Sequence, residues 1–285
     1  MKKLVMALLC LGLLTGCSNQ NYDVKVTDDT KTIASSDDIK ITKQDYFEYL
    51  LDNYGANEVL NEALLSIADK ELTDQDAIDK AVKEKEEEYA KYANGSLEDY
   101  AKNSGYSSKD DFINNEIIPT VKRELLVKKY IDENLDKLIE EYQVTSFKKI
   151  VVDKESTALS IIKEIKSEED FDKKMEEYGS DAEDAGMVTK NSTLDDNLKK
   201  ALKDLSQVKK DGIYKEAIKL ADEQYAIIYL YDTDHKNTDN IKKTIASDTE
   251  AQTDIEGHYL SKYEFEVHDS KIKEGIKNIS SDYIE

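Results

Sequence analysis

Tryptophan is absent from these 285 residues, and proline occurs once, at Pro119. Ten glycines complete a sequence poor in turn formers, which argues against an all-β sandwich and predicts a helix-rich chain. Cysteine is scarce too. Cys10 lies in an apolar leader and Cys17 is the only other one, so the rest of the chain must be stable without an internal disulfide. Basic side chains are outnumbered, 40 to 62, for a formal charge of −22. A polyanion repels phosphate backbones, so nucleic acid is not an expected partner. The three histidines, His235, His258 and His268, have no helical partner spacing among them, which speaks against a zinc site. Asp181-Ala182-Glu183-Asp184-Ala185-Gly186 faintly resembles a calcium loop, but its twelfth position is Ser192 where a bidentate Glu belongs. Phosphate-binding glycine loops, nucleophile elbows and zinc-protease motifs are all missing. No metal and no cofactor are expected.

What the sequence does have is charge and tyrosine. Charged residues make up 36%, hydrophobic ones 39%, and there are 18 tyrosines, enough for modest cores in one large or two small domains. The single long apolar run, Leu4–Leu14, is too short to cross a bilayer as a helix and follows the basic start Met1-Lys2-Lys3. Leu14-Thr15-Gly16-Cys17 comes directly after it and is similar to a bacterial lipoprotein signal. That resemblance implies cleavage after Gly16 and a diacylglyceryl group on Cys17. A polar, acidic stretch from Ser18 to about Thr32 then reads as a tether.

Along the remainder, helical and strand periods alternate. Residues 33–41 read as a short extended piece, and Thr42 with Asp45 three residues on reads as a helix start. Tyr46, Phe47, Leu50 and Leu51 recur at helical spacing up to Gly55, which reads as the helix end. Helices are predicted over 59–67, 73–92 and 96–103, with a break at Asn94-Gly95, and a long one is predicted after Pro119. Phe147-Lys148-Lys149-Ile150-Val151-Val152 and Tyr225-Ala226-Ile227-Ile228-Tyr229-Leu230-Tyr231 read as strands. Helices lie between them at 154–166, around Phe171 and Met175, and at 194–205, with a loop at 179–192. Helix returns from Asn237, a short strand is expected at 264–268, and a last helix at 270–279. Tyr46, Tyr49, Tyr54, Tyr89 and Tyr92 serve equally as core or as the lining of a groove for another polypeptide.

This order resembles the PrsA-type foldase lipoproteins of Gram-positive bacteria. Ile39-Lys40-Ile41-Thr42-Lys43-Gln44-Asp45-Tyr46-Phe47 is similar to the way that family enters its first helix, and Lys149–Ala158 to the opening strand and helix of a parvulin domain. Glu169-Asp170-Phe171, Glu177–Asp181 and the strand at Tyr225–Ile228 follow in the expected order. The resemblance implies a predominantly helical α+β protein, in which a discontinuous SurA-like helical chaperone domain carries an inserted parvulin-like domain. The expected layout is a signal peptide at 1–16, lipidated Cys17 and tether at 17–34, chaperone helices at 35–143, the parvulin-like domain at 144–235, and C-terminal helices completing the chaperone domain at 236–285. Parvulins usually carry a histidine on the first strand and another on the last; here those positions read Lys149 and Ala226. Asp181 stands near the family's Cys/Asp position, and Met187 is placed to line a remnant pocket. The expected function is a chaperone on the outer face of the cell membrane, tethered by the lipid on Cys17, with unfolded or partly folded secreted proteins as partners. A homodimer stays open. No catalytic residue is assigned. The alternatives are a working prolyl isomerase with a divergent site and a solute-binding lipoprotein of a transporter.

Overall fold

The computed structural model describes residues 26–93 and 96–284. The leader, Cys17, most of the tether and the Asn94-Gly95 break lie outside the described residues. The element order begins with β1 (Thr32–Ser35), β2 (Lys40–Thr42), α1 (Lys43–Leu50), a π turn (Leu51–Gly55), α2 (Ala56–Glu71), α3 (Gln75–Tyr92), α4 (Leu97–Asn103) and α5 (Lys109–Phe112). A second π turn (Ile113–Ile117) leads into α6 (Ile118–Glu141). The mixed region holds β3 (Thr145–Val152), α7 (Glu155–Glu164), α8 (Glu168–Tyr178), β4 (Ala182–Val188), α9 (Asp196–Leu205), β5 (Gly212–Ile213), β6 (Ile218–Lys219) and β7 (Tyr225–Tyr231). The chain closes with α10 (Thr238–Ala246), α11 (Thr249–Lys262) and α12 (Ser270–Ile279). The architecture is predominantly helical α+β. Among the described residues no helix is long and apolar enough to cross a membrane.

Two compact units emerge, residues 1–67 with 257–285, and residues 68–256. The larger unit is organised by an antiparallel sheet of order β4-β3-β7-β5, with β6 also paired to β7. The pleat sends alternate side chains to opposite faces. Phe147, Ala226, Ile228 and Leu230 pack on one face against Leu198, Leu202 and Leu205, which recur at one side of α9. Ile150, Val152, Ile227 and Tyr229 pack on the other against Ile161, Ile162 and Phe171 of α7 and α8. A separate helical core in the same unit gathers Leu97, Ala101, Phe112, Ile117 and Val121. Helix α11 is tied in by polar bonds. Asp248 accepts from Glu250 N and Ala251 N at its start and from Thr189 Oγ1 and Asn191 Nδ2. Tyr142 Oη donates to Asp254 at 2.5 Å, and Arg123 donates to buried Glu256.

Three expectations of local structure need correction. The stretch 179–192 is not all loop, because β4 pairs with β3 across Thr145↔Val188 to Ile150↔Ala182. Its sequence lacks β-branched density because it is an edge strand with a bulge, where Gly186 sits at φ 68°. Gly55 does not end a helix. It keeps an ordinary negative φ, and the chain passes through the π turn straight into α2. Residues 264–268 form no strand. Glu264 takes φ 51° and Phe265 N donates to Leu260 O, so this stretch caps the end of α11.

Candidate functional site

In the smaller unit, β1 and β2 form a short hairpin whose register skips at Ile33. Thr42 then caps α1. Its Oγ1 accepts from Asp45 N at 3.2 Å, and the Asp45 carboxylate accepts from Thr42 N at 2.7 Å. A hydrogen bond donated by Thr42 Oγ1 at 2.7 Å, and then the one from Thr42 N, hold the Asp45 carboxyl below the usual carboxylate range. The helix so started buries none of its residues. Tyr46, Tyr49 and Leu50 are spaced to share one side. In a straight helix Tyr54 would point away from Tyr49, but a π turn repeats at i→i+5 and brings the two onto one face. Their rings meet edge to face at 6.4 Å, and the hydrogen bond between them pushes the Tyr49 phenol up. Asn53 Nδ2 donates to Tyr49 O at 2.7 Å across the widened turn.

Packing occupies the other side of this helix. Gly55 lies against Leu51 and Ile272, and a Cβ on Gly275 of α12 would stand 2.6 Å from Ala56 Cβ. Lys271 pairs with Asp52 at 2.8 Å. With that side used, Tyr46, Tyr49 and Tyr54 remain 52%, 54% and 52% exposed. Ile33, Ile39 and Ile41 of the hairpin are also exposed, so seven of the ten large hydrophobics exposed among the described residues lie between residues 33 and 54. Single exposed apolar residues are ordinary, whereas this many in one short stretch are not. The same unit holds a cleft of about 630 Å³ with Phe265, Val267, Tyr283 and Ile284 in its lining, together with Glu264, Glu266 and Asp282.

The five tyrosines of undecided role are now separated. Tyr89 packs in the helical core, 5.2 Å from Phe112 and 5.8 Å from Tyr100. Tyr46, Tyr49, Tyr54 and Tyr92 are exposed. Sequence reading did not single out the three hairpin isoleucines. The available signal was a strand pair of seven residues with no second apolar layer to cover it.

The four positions matched to the parvulin pocket lie in the larger unit. Lys149 sits on β3, on the face covered by α9, and its Nζ pairs with Glu183 at 2.9 Å. Ala226 of β7 shares that face and is fully buried. Asp181 closes a short 3-10 turn after α8 and is exposed. Met187 stands opposite Ser146, which the pleat places on the other face from Lys149. It lines a polar recess of about 430 Å³ with Thr189, Asn191, Thr244 and Asp248. The structure therefore puts Lys149 and Ala226 on one face and sends Met187 elsewhere. Among the described residues no group of three or more His, Cys, Asp or Glu could hold a metal ion.

No family model matches the chain, and no curated protein matches it. Solved structures do. PrsA from Bacillus subtilis is 19% identical, with 87% of this chain and 99% of that one covered, at a TM-score of 0.44. The peptidylprolyl isomerase PrsA from Bacillus cereus is 19% identical over 88% and 99%, at 0.49. Foldase protein PrsA from Streptococcus pneumoniae is 20% identical over 87% and 98%, at 0.37. The chain is thus similar, along most of its length, to solved PrsA structures.

Proposed function

We propose that this chain is an ATP-independent chaperone outside the cytoplasm, anchored to the membrane by a lipid on Cys17, that shelters apolar segments of unfolded or partly folded secreted proteins. The observation that carries this reading is the exposure of Ile33, Ile39, Ile41, Tyr46, Tyr49 and Tyr54 within one short stretch of chain. Removing apolar surface from water contributes about 25 cal/mol per Å² and needs no directional partner. Such exposure suits weak, broad capture. Tyrosine adds amphipathic contact that tolerates many sequences. The surplus of acidic side chains keeps a chaperone with its client in solution.

The region 144–235 serves in this reading as a scaffold of parvulin type, carried by chaperone helices at 35–143 and 236–285, rather than as an isomerase. Twisting a peptide bond costs about 20 kcal/mol, and a catalyst must offer polar groups that favour the twisted amide. The Lys149 ammonium already answers Glu183, and Ala226 has no side-chain donor.

The test is light scattering from a chemically denatured secretory protein diluted into buffer with and without the purified chain. Slower aggregation at near-equimolar chain is expected, together with no acceleration of prolyl isomerisation in a short peptide. Unchanged aggregation would remove the chaperone reading. Isomerase activity lost on Asp181→Ala would return the enzyme reading.

A further inference from the structure

The uncovered face is not surrounded by neutral surface. Residues 26–55 carry seven carboxylates against three lysines, and one of the seven, Asp52, is paired with Lys271. Asp45 accepts hydrogen bonds from Thr42 N and Oγ1, and Glu48 accepts from the Gln44 amide. These donors are uncharged, so none of these bonds pairs a carboxylate with a cation beside Tyr46 and Tyr49. Of the three lysines, Lys43 is turned to the Thr27 carbonyl at 2.8 Å. The cleft in the same unit repeats the pattern, with apolar side chains among Glu264, Glu266 and Asp282 and one lysine, Lys273.

We infer that the segments this face takes are apolar stretches punctuated by lysine or arginine, the aromatic and aliphatic side chains settling on the tyrosines and isoleucines while the cations meet the flanking carboxylates. This rests on the chaperone reading and narrows it to a class of client. Charge complementarity decides between a polypeptide and a lipid surface as occupant. An anionic bilayer would be repelled by the same carboxylates that draw in a cationic peptide. Because the carboxylates lie in water, their attraction is screened by salt within about 10 Å at 0.1 M ionic strength, whereas apolar contact is not.

The experiment uses the mature chain with Cys17→Ser, which leaves every described residue in place, and two fluorescent 13-residue peptides. Both alternate Leu and Phe with charged residues, Lys in one and Glu in the other. By anisotropy at 50 mM salt the Lys peptide should bind about 10-fold tighter, and the gap should close to about 3-fold at 0.5 M. The double substitution Tyr46→Ser/Tyr49→Ser should weaken the Lys peptide about 5-fold or more, and Tyr92→Ser, at an exposed tyrosine of the other unit, should leave it unchanged. Equal affinity for the two peptides overturns the inference, as does a Lys-peptide affinity that the double substitution leaves unchanged. Co-sedimentation with phosphatidylcholine vesicles that depends on Tyr46 and Tyr49 also overturns it, by making the face a membrane contact. Equal peptide affinities with aggregation still suppressed sink this inference alone. Failure of both assays sinks the chaperone reading with it.

Discussion

Two helices of this chain are built alike and end in opposite circumstances. Each runs into a π turn, Leu51–Gly55 in one and Ile113–Ile117 in the other. In each, an asparagine amide reaches the carbonyl four residues back, Asn53 to Tyr49 and Asn115 to Asp111. Each lies beside tyrosines. Around Phe112 the rings of Tyr89, Tyr100 and Tyr106 stand 5.2, 5.6 and 5.1 Å away and close a core. The ring of Tyr49 meets that of Tyr54 at 6.4 Å, and both stay about half exposed. The same local device that completes a core in one unit displays an aromatic face in the other. What differs is the supply of covering helices: α3 and α4 pack over the Phe112 cluster, while α12 covers only the inner side of the Tyr49 helix.

That contrast yields graded expectations. Phe112→Ala should cost about 3–5 kcal/mol of stability, since Phe112 is 2% exposed and its removal leaves a cavity among aromatic rings. Urea denaturation followed by circular dichroism would show it. Gly275→Ala should cost about 1–3 kcal/mol despite the better helix propensity of alanine, because the new methyl meets Ala56 Cβ at 2.6 Å. Thr42→Ala should cost about 1 kcal/mol by uncapping α1, and would also loosen the display of Tyr46 and Tyr49. Tyr46→Ser/Tyr49→Ser should change stability by no more than about 0.5 kcal/mol per site, because neither ring is buried. A large loss there would mean that the face is structural.

Titration separates the regions in another way. Burial, helped by the hydrogen bond to Glu116 at 2.9 Å, pushes the Tyr106 phenol up to about 12. A raised folded value means the native state holds its proton after the unfolded chain has released it. The contribution of Tyr106 is therefore fully present below the ordinary tyrosine value near 10 and is lost as pH climbs toward 12. Thermal melts at pH 9, 10 and 11 should fall in order, and Tyr106→Phe should flatten that fall.

Much of this fold is legible in the residues themselves. Thr42 and Asp45 announce the start of α1, Pro119 the first turn of α6, and the β-branched runs at 147–152 and 225–231 the two central strands. β4 was hidden because an edge strand bonded on one side needs no apolar alternation, and Ala182-Glu183-Asp184-Ala185-Gly186 reads as turn. The π turns were hidden because a one-residue change of period leaves no compositional trace; Gly55 reads as a stop only if it takes positive φ, and it does not. Of the site, the tyrosines were visible but their exposure was not, since helical spacing says which side chains share a side and not what lies across from them. Lys149 and Ala226 were located by resemblance, and only the strand register shows that Met187 stands on the opposite face.

The central claim is that the uncovered face between Ile33 and Tyr54 does the work of holding other polypeptides. The direct measurement is aggregation of a denatured secretory protein in the presence of the intact chain and of Tyr46→Ser/Tyr49→Ser/Tyr54→Ser, each first shown to melt at the same temperature. The account predicts that the intact chain protects and the triple variant loses most of that protection. Equal protection by the two proteins would contradict it.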